Sequence, residues 1–277
     1  MATDPTVAAG YASADAGASL YRYSEGIAFF IDLFADPPVE APPELPFLRN
    51  RVTPAGAVLD IGAGVGRLAF ALASNGFRVT ALEPDPEMYG AMLIRLAGHA
   101  ELQATLSPVP RAIGFDLQQG FDACLSLAVL HLLDATTRRA LFRYAAAHLQ
   151  EGGTLIVEAP VESTTRAEIP FQLRAERTFG GTRYQHLHSV TRATGGRWNT
   201  TWGFVTLRGE DVLDRRSKTF DWEPVSLGEV TELAHDAGLD NEETFAGFDG
   251  APFVNGASRV LVAVARKAAG GIHPVQR

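Results

Sequence analysis

Three glycines, Gly62, Gly64 and Gly66, stand between the apolar run Ala57–Ile61 and a helical pattern that opens at Arg67. A short buried strand, an alternating-glycine turn and a helix in direct succession leave a chain few options. Glycine permits the tight turn and lets backbone N–H groups approach a ligand, and the helix N-terminus behind them favours negative charge. The same grammar continues downstream. Residues 67–75 read as a helix closed by Gly76, residues 78–83 as a second strand and residues 86–97 as a second helix. A third strand is expected at about residues 102–106 and a buried fourth at 121–127. Asp134 is placed to cap a helix running to Leu149, and Glu151-Gly152-Gly153 turns the chain into a strand at 154–159. Such alternation predicts an α/β fold, a parallel sheet with helices on both faces. Ligands of open sheets bind at the carboxyl ends of the strands, where Glu83 is positioned to accept both hydroxyls of a ribose.

After Pro160 the pattern changes. Residues 182–193, 197–207 and 211–221 read as strands joined by Thr194-Gly195-Gly196 and Arg208-Gly209-Glu210, an antiparallel meander inserted late in the α/β unit. A helix at 227–237 ended by Gly238, a strand around 244–248 and another at 258–265 complete the chain. Near the start, Leu20, Ile27, Phe30, Ile31 and Phe34 recur at helical spacing, followed by a proline-rich spacer.

Composition narrows the function classes. Hydrophobic residues at 46% and charged residues at 20% are globular values. A net charge of −8 argues against a general nucleic-acid binder, which needs surplus Lys and Arg. One cysteine, Cys124, excludes an internal disulfide and fits a reducing compartment. Residues 1–17 have neither the basic nor the apolar region of a signal peptide, and no apolar run approaches the ~20 residues of a membrane span. A cytoplasmic protein with no membrane partner is therefore expected.

The nucleoside can be narrowed from the glycine frame. A dinucleotide fingerprint counted from Gly62 ends on Arg67, where a small residue belongs, and the frame ending at Ala69 starts late after the strand. The observed Asp60-x-Gly62-x-Gly64-x-Gly66 resembles motif I of class I S-adenosylmethionine-dependent methyltransferases. Leu82-Glu83-Pro84-Asp85, the run from Gly120 to Leu127, Leu130-His131-Leu132-Leu133-Asp134 and the run from Leu149 to Ile156 follow in that family's order. The resemblance implies a Rossmann-like methyltransferase sheet divided as follows: residues 1–50, tail and helical lid; 51–160, cofactor-binding core; 161–225, antiparallel substrate-side insertion; 226–277, the helix and strands that complete the sheet. It implies S-adenosyl-L-methionine as cofactor. Gly62, Ala63, Gly64 and Gly66 would line its methionine and ribose end, with Asp60 organising the turn. Glu83 would hold the ribose, Pro84 would sit beside the adenine, and Ser126, Leu127 and His131 below the methionine. An acidic residue after strand three, common in relatives, is replaced by Ser107-Pro108-Val109-Pro110-Arg111-Ala112, which leaves adenine recognition open.

Methyl transfer needs a base only if the acceptor loses a proton. Tyr23 with Glu25 is one candidate, on a helix that relatives fold over the sulfonium; the pair equally suits a helix whose tyrosines simply pack. Tyr184, His186 and His188 share one strand face and either line the pocket or pack as an ordinary strand; no third ligand has metal spacing. His131 either orients the acceptor or closes the site. Trp198, Trp202 and Phe204 on one strand face, with Phe220 and Trp222 beyond, either stack a flat acceptor or form a seam. Cys124 reads as core and Arg138-Arg139 as a solvated face. The signatures of nucleic-acid and protein-glutamine methyltransferases are absent after strand four. The chain thus resembles the small-molecule, secondary-metabolite branch, with a lean towards an aromatic, indole-like C- or N-acceptor. An O- or N-methyltransferase of an amine, phenol or amino sugar, and a non-catalytic cofactor-binding protein, stand as alternatives.

Overall fold

Alternation of apolar runs with amphipathic helices decides which faces this chain buries. The computed structural model describes residues 26–34, 42–164 and 166–268. Two short helices, α1 (Ala28–Phe34) and α2 (Glu44–Arg49), precede the core. Then come β1 (Ala57–Ile61), α3 (Arg67–Ser74), β2 (Arg78–Leu82), α4 (Pro86–Ala97), β3 (Leu106–Val109), β4 (Phe121–Leu127), α5 (Ala135–His148) and β5 (Leu149–Pro160). Four long strands follow, β6 (Ile169–Phe179), β7 (Thr182–Arg192), β8 (Trp198–Arg208) and β9 (Asp211–Trp222). The described chain closes with α6 (Leu227–Asp236), β10 (Leu239–Phe245) and β11 (Val260–Lys267).

Seven strands form one sheet in the order β3-β2-β1-β4-β5-β11-β10, parallel except that β11 runs antiparallel to both its neighbours. This is the α/β sheet that the resemblance in the sequence implies, with one reversed strand near its edge. Its central strands are buried on both faces because helices cover both. On one face α5 and α6 contribute Leu141, Phe142, Val230 and Leu233 to the core; on the other α2, α3 and α4 contribute Leu48, Phe70, Leu72 and Met92. Capping follows the sequence: Asp85 accepts from the N–H groups of Glu87 and Met88, Asp134 from Thr137 and Ser226 from Glu229.

The strands β6-β7-β8-β9 make a separate antiparallel sheet. The sequence pattern reveals only the last three of its strands. β6 is an edge strand that does carry an apolar alternation in Ile169, Phe171, Leu173, Ala175 and Phe179, but that face is left largely to solvent instead of being buried. Two other strands are displaced from their expected positions. Ala100–Leu102 is a 3-10 turn that tucks Leu102 into the core, so β3 begins only at Leu106. Near the end, β10 starts at Leu239 and runs through the polar stretch Asp240–Glu243, paired with β11 from one side only.

α1 joins the two sheets. Ala28 packs on Val65 and Met88, while Ile27 and Phe30 pack on Phe204 and Phe220 of the meander. Glu87 of α4 accepts from Gly26 N–H at 2.9 Å, Arg216 of β9 donates to the Gly26 carbonyl at 2.9 Å, and Asp32 pairs with Arg95.

Arg138 and Arg139 part company. Arg139 is on the surface, but Arg138 is 3% exposed and ties three elements together. It donates to the Leu130 carbonyl (2.8 Å), to Glu229 of α6 (2.8 Å) and to the Glu223 carbonyl (3.3 Å). The solvated-face reading therefore holds for one of the pair; adjacent helical residues point about 100° apart, so one can enter a helix–helix groove that the other misses. Arg138→Met is expected to lower unfolding stability by about 3 kcal/mol, since it strands two carbonyls and a carboxylate. Arg139→Met should change it by no more than about 0.5 kcal/mol. Urea melts of the two variants check the contrast; similar midpoints would reject it.

Candidate functional site

The glycine turn has a distinct reason for each glycine. All three have positive φ, +78° at Gly62, +60° at Gly64 and +82° at Gly66. A Cβ at Gly62 would stand 2.6 Å from Val129 Cγ2, and one at Gly66 2.8 Å from Met92 Cγ. Those two glycines let the loop after β4 and helix α4 close on the turn. A Cβ at Gly64 would meet only Met88 Sδ, at 3.6 Å, and Gly64 lines the cavity. The Gly64 N–H donates to Glu83 Oε2 at 2.7 Å, and the Asp85 N–H donates to Glu83 Oε1 at 2.8 Å. One buried carboxylate thus bridges the turns that follow β1 and β2. Burial pushes its pKa up to about 7; the two N–H bonds oppose that rise and the charges of Asp85 and Asp60 add to it.

Above this turn lies a cavity of about 480 Å³. Gly62, Ala63, Gly64, Glu83, Pro84 and Met88 form one end. Leu127, Ala128 and Val129 form the floor, where Ala128 holds a left-handed φ of 57° and donates its N–H to the Glu158 carbonyl at 3.0 Å. The other end combines α1, through Ile31 and Phe34, with the meander, through Arg174, His186, Trp202 and Phe204. These rings pack on one another: His186 stacks on Phe204 at 4.8 Å and meets Phe34 at 5.5 Å and the edge of Trp202 at 5.8 Å. Arg67 also lines the cavity, its guanidinium paired through two bonds with Glu44 of α2 at 3.1 and 2.5 Å.

His186 is 9% exposed and its Nε2 has no hydrogen-bond partner. Burial pushes its pKa down to about 4, with the Arg174 charge acting in the same direction, so the ring is neutral near pH 7. Neighbouring His188 is lowered for the same two reasons.

The sequence-derived site residues fall into four groups. Gly62, Ala63, Gly64, Glu83, Pro84, Leu127 and His186 all line the cavity. Gly66, Asp60 and Ser126 lie behind its wall: Gly66 packs against Met92 and Phe70, and Ser126 Oγ is buried without a partner. Asp60 is buried too, and burial lifts its pKa to about 7 against the pull of Arg67. His131 is not among the lining residues. It follows β4 as expected, but its ring meets Trp222 edge-on at 5.7 Å and its carbonyl accepts from Glu223 N–H, so it faces the meander seam. Burial drives its pKa to about 4. Tyr23 and Glu25 lie outside the described residues. The aromatic face divides, with Trp198 stacked on Trp222 at 5.9 Å as seam and Trp202 and Phe204 as cavity wall. Cys124 is core, its thiol pushed up by burial. No group of three or more His, Cys, Asp or Glu among the described residues is arranged to hold a metal ion.

Sequence reasoning missed Arg174, Phe34 and Ala128. Arg174 sits on the strand that was not expected, and only the strand's register turns it inward. Phe34 was legible as part of a helix but not as a wall. Ala128 carried no signal, since alanine is not a residue that advertises positive φ.

Residues 58–153 match the family model described as a methyltransferase domain. The ubiquinone biosynthesis O-methyltransferase of Xanthomonas axonopodis pv. citri is 33% identical over 119 residues, covering 42% of this chain and 48% of that protein. The chain thus aligns with about half the length of that curated relative. Among solved structures, the CcbJ methyltransferase from Streptomyces caelestis superposes with a TM-score of 0.69 at 24% identity, over 89% of this chain and 98% of the other. DesVI from Streptomyces venezuelae gives 0.67 at 21% identity, over 91% and 98%. A sugar N-methyltransferase from Streptoalloteichus gives 0.66 at 20% identity, over 87% and 91%. These likenesses establish the fold.

The raised Glu83 pKa has a consequence for stability. A carboxyl whose folded pKa exceeds its unfolded one stabilises fully below the unfolded value and loses that contribution as pH rises through about 7. His131 and His186, lowered to about 4, contribute with the opposite sign between about 4 and 6.5, so the informative quantity is a difference. The melting temperature of Glu83→Gln minus that of wild type should rise steadily from pH 5 to pH 8 in the ligand-free protein. A flat or falling difference, measured by calorimetric scans, would contradict the assignment.

Proposed function

We propose, from the premise that residues 58–153 of this chain are a methyltransferase domain, that the protein moves a methyl group from S-adenosylmethionine to a small molecule. The acceptor we favour has a planar aromatic, indole-like body and takes the methyl at carbon or nitrogen, as in secondary metabolism. The observation that carries this reading is one continuous cavity, with a glycine turn and a buried carboxylate at one end and aromatic rings at the other.

The residues fit the cofactor. Gly64 leaves room at the cavity wall, and Glu83 is fixed by two backbone N–H groups with further lone pairs to offer a ribose. Gly62, Ala63 and Leu127 would flank its methionine and ribose end, and Pro84 and Met88 its adenine side. When bound, this cofactor supplies a methyl group already activated on a sulfonium, which leaves the protein mainly the work of alignment. Alignment alone can account for roughly 7–11 kcal/mol of a barrier. Trp202 and Phe34, both partly exposed, offer apolar surfaces that would hold an aromatic ring edge-on or stacked, backed by Phe204, which is itself stacked on Phe30 and His186. His186, neutral and with a free Nε2, is suited to accept a hydrogen bond from an acceptor N–H or O–H. A proton relay through Tyr23 and Glu25 and a supporting role for His131 through Trp222 belong to the same reading. The sugar N-methyltransferase among the structural neighbours supports a second one, an amino-sugar acceptor methylated on nitrogen.

S-Adenosylmethionine carrying a CD₃ group, offered with indoles, phenols, primary amines and amino sugars, is expected to yield a labelled indole-type product by mass spectrometry. Label only on amino sugars would establish the second reading; tight S-adenosylhomocysteine binding without label on any acceptor would favour a cofactor-binding protein. Glu83→Ala should weaken S-adenosylhomocysteine by about 10- to 150-fold, equivalent to about 1.5–3 kcal/mol for hydrogen bonds to a charged group. Gly64→Val should abolish that binding while the chain stays folded, whereas Gly62→Ala and Gly66→Ala should lower the melting temperature through their collisions with Val129 and Met92. Unaltered calorimetric affinity in Glu83→Ala would remove the ribose role.

A further inference from the structure

An irregularity in the meander turns one arginine into the cavity. Leu173 and Ala175 of β6 pair with Leu187 and His186, which are consecutive residues of β7, so Arg174 is an extra residue on its strand. A bulge of this kind re-aims a side chain and is common beside active sites. Ala175, His186 and Phe204 share one cross-strand row, and Arg174 lines the cavity next to them, exposed at its mouth.

The formal charges of this cavity are otherwise answered. Arg67 is paired with Glu44, and Glu83 accepts two backbone N–H bonds. Arg174 has neither a hydrogen bond nor an ion pair among the described residues. The groups beside it are His186 and His188, both neutral, with Nε2 and Nδ1 respectively lacking partners. A cation kept unpaired at a concave mouth, in a chain of net charge −8, draws an anion to that one place. The planar guanidinium fork matches the two oxygens of a carboxylate or phosphate and binds them more tightly than a point charge does.

We propose that Arg174 is a specificity-determining residue that pairs with an oxyanion carried by the acceptor, a carboxylate or a phosphate, while the acceptor's ring lies against Trp202. This rests on the methyl-transfer reading above. It excludes a wholly neutral acceptor, and it makes Arg174 a positioning residue set apart from the glycine turn.

The test is calorimetry on the full chain saturated with S-adenosylhomocysteine, using indole-3-acetate, indole-3-acetamide and indoxyl phosphate as probes. In the wild type an anionic probe should bind about tenfold or more tighter than the amide, and the stronger of the two anions identifies the oxyanion. Arg174→Gln should bring that preference to within about twofold of unity, Arg174→Lys should keep part of it, and both should retain the wild-type melting temperature and S-adenosylhomocysteine affinity. Equal binding of all three probes, no binding of any, or an undiminished preference in Arg174→Gln would overturn the proposal. So would a tenfold loss of S-adenosylhomocysteine affinity in Arg174→Gln, which would assign the guanidinium to the cofactor's own carboxylate. Failure of the wild type to bind S-adenosylhomocysteine would instead remove the methyl-transfer reading. The probes, titrated into the ligand-free chain, would then still report whether the anion preference exists and depends on Arg174.

Discussion

The close approach of the glycine turn to its neighbours is the constraint on which the rest of this structure depends. With no side chain at Gly62 or Gly66, Val129 and Met92 press against the turn at distances that a Cβ would forbid. That contact draws the loop after β4 and helix α4 into register with the end of β1. It also brings the Gly64 N–H within reach of Glu83, whose second oxygen is held by Asp85. The ends of β1 and β2 are thereby locked around one buried carboxylate, and its raised pKa follows from that burial.

The aromatic end of the cavity is organised on a different principle. Nothing there resembles the backbone cradle of the glycine turn; its walls are side chains projected from a sheet and one short helix. α1 is too short to be stable alone and is held by contacts on both flanks, to Glu87 and Arg95 of α4 and to Arg216 of β9. The cavity therefore depends on both sheets at once, and its shape responds to the meander as much as to the core. Its electrostatics are also lopsided, with a buried carboxylate at the glycine turn and, on the meander, a guanidinium without a partner among the described residues beside neutral imidazole.

Much of the core was legible in the sequence, because periodicity and turn chemistry act locally. The run before Gly62 is apolar except for the buried Asp60, as suits a doubly covered strand, Gly76 ends α3, and Asp85, Asp134 and Ser226 cap the helices that follow them. Elements at sheet edges were less legible. β10 runs through a polar stretch with no apolar alternation, and the alternating Ile169, Phe171 and Leu173 of β6 are left largely to solvent, so pairing with a neighbour is what holds both as strands. Arg138 shows the same limit in a helix, where an arginine pattern cannot tell a groove from a surface.

By itself, the sequence determined the order of strands and helices in the core, the glycine turn and the carboxylate that answers it, since each is encoded within a few residues of contiguous chain. Only the tertiary structure decided which side chains meet across the cavity. His186 reaches it and His131 does not, although both sit where local pattern allowed either outcome; one ring faces Phe204 and the other Trp222 because of how the meander crosses the end of the sheet. Arg174 is the plainest case. Its inward position depends on a one-residue slip between β6 and β7, and register is a relation between two strands that neither strand's sequence contains alone.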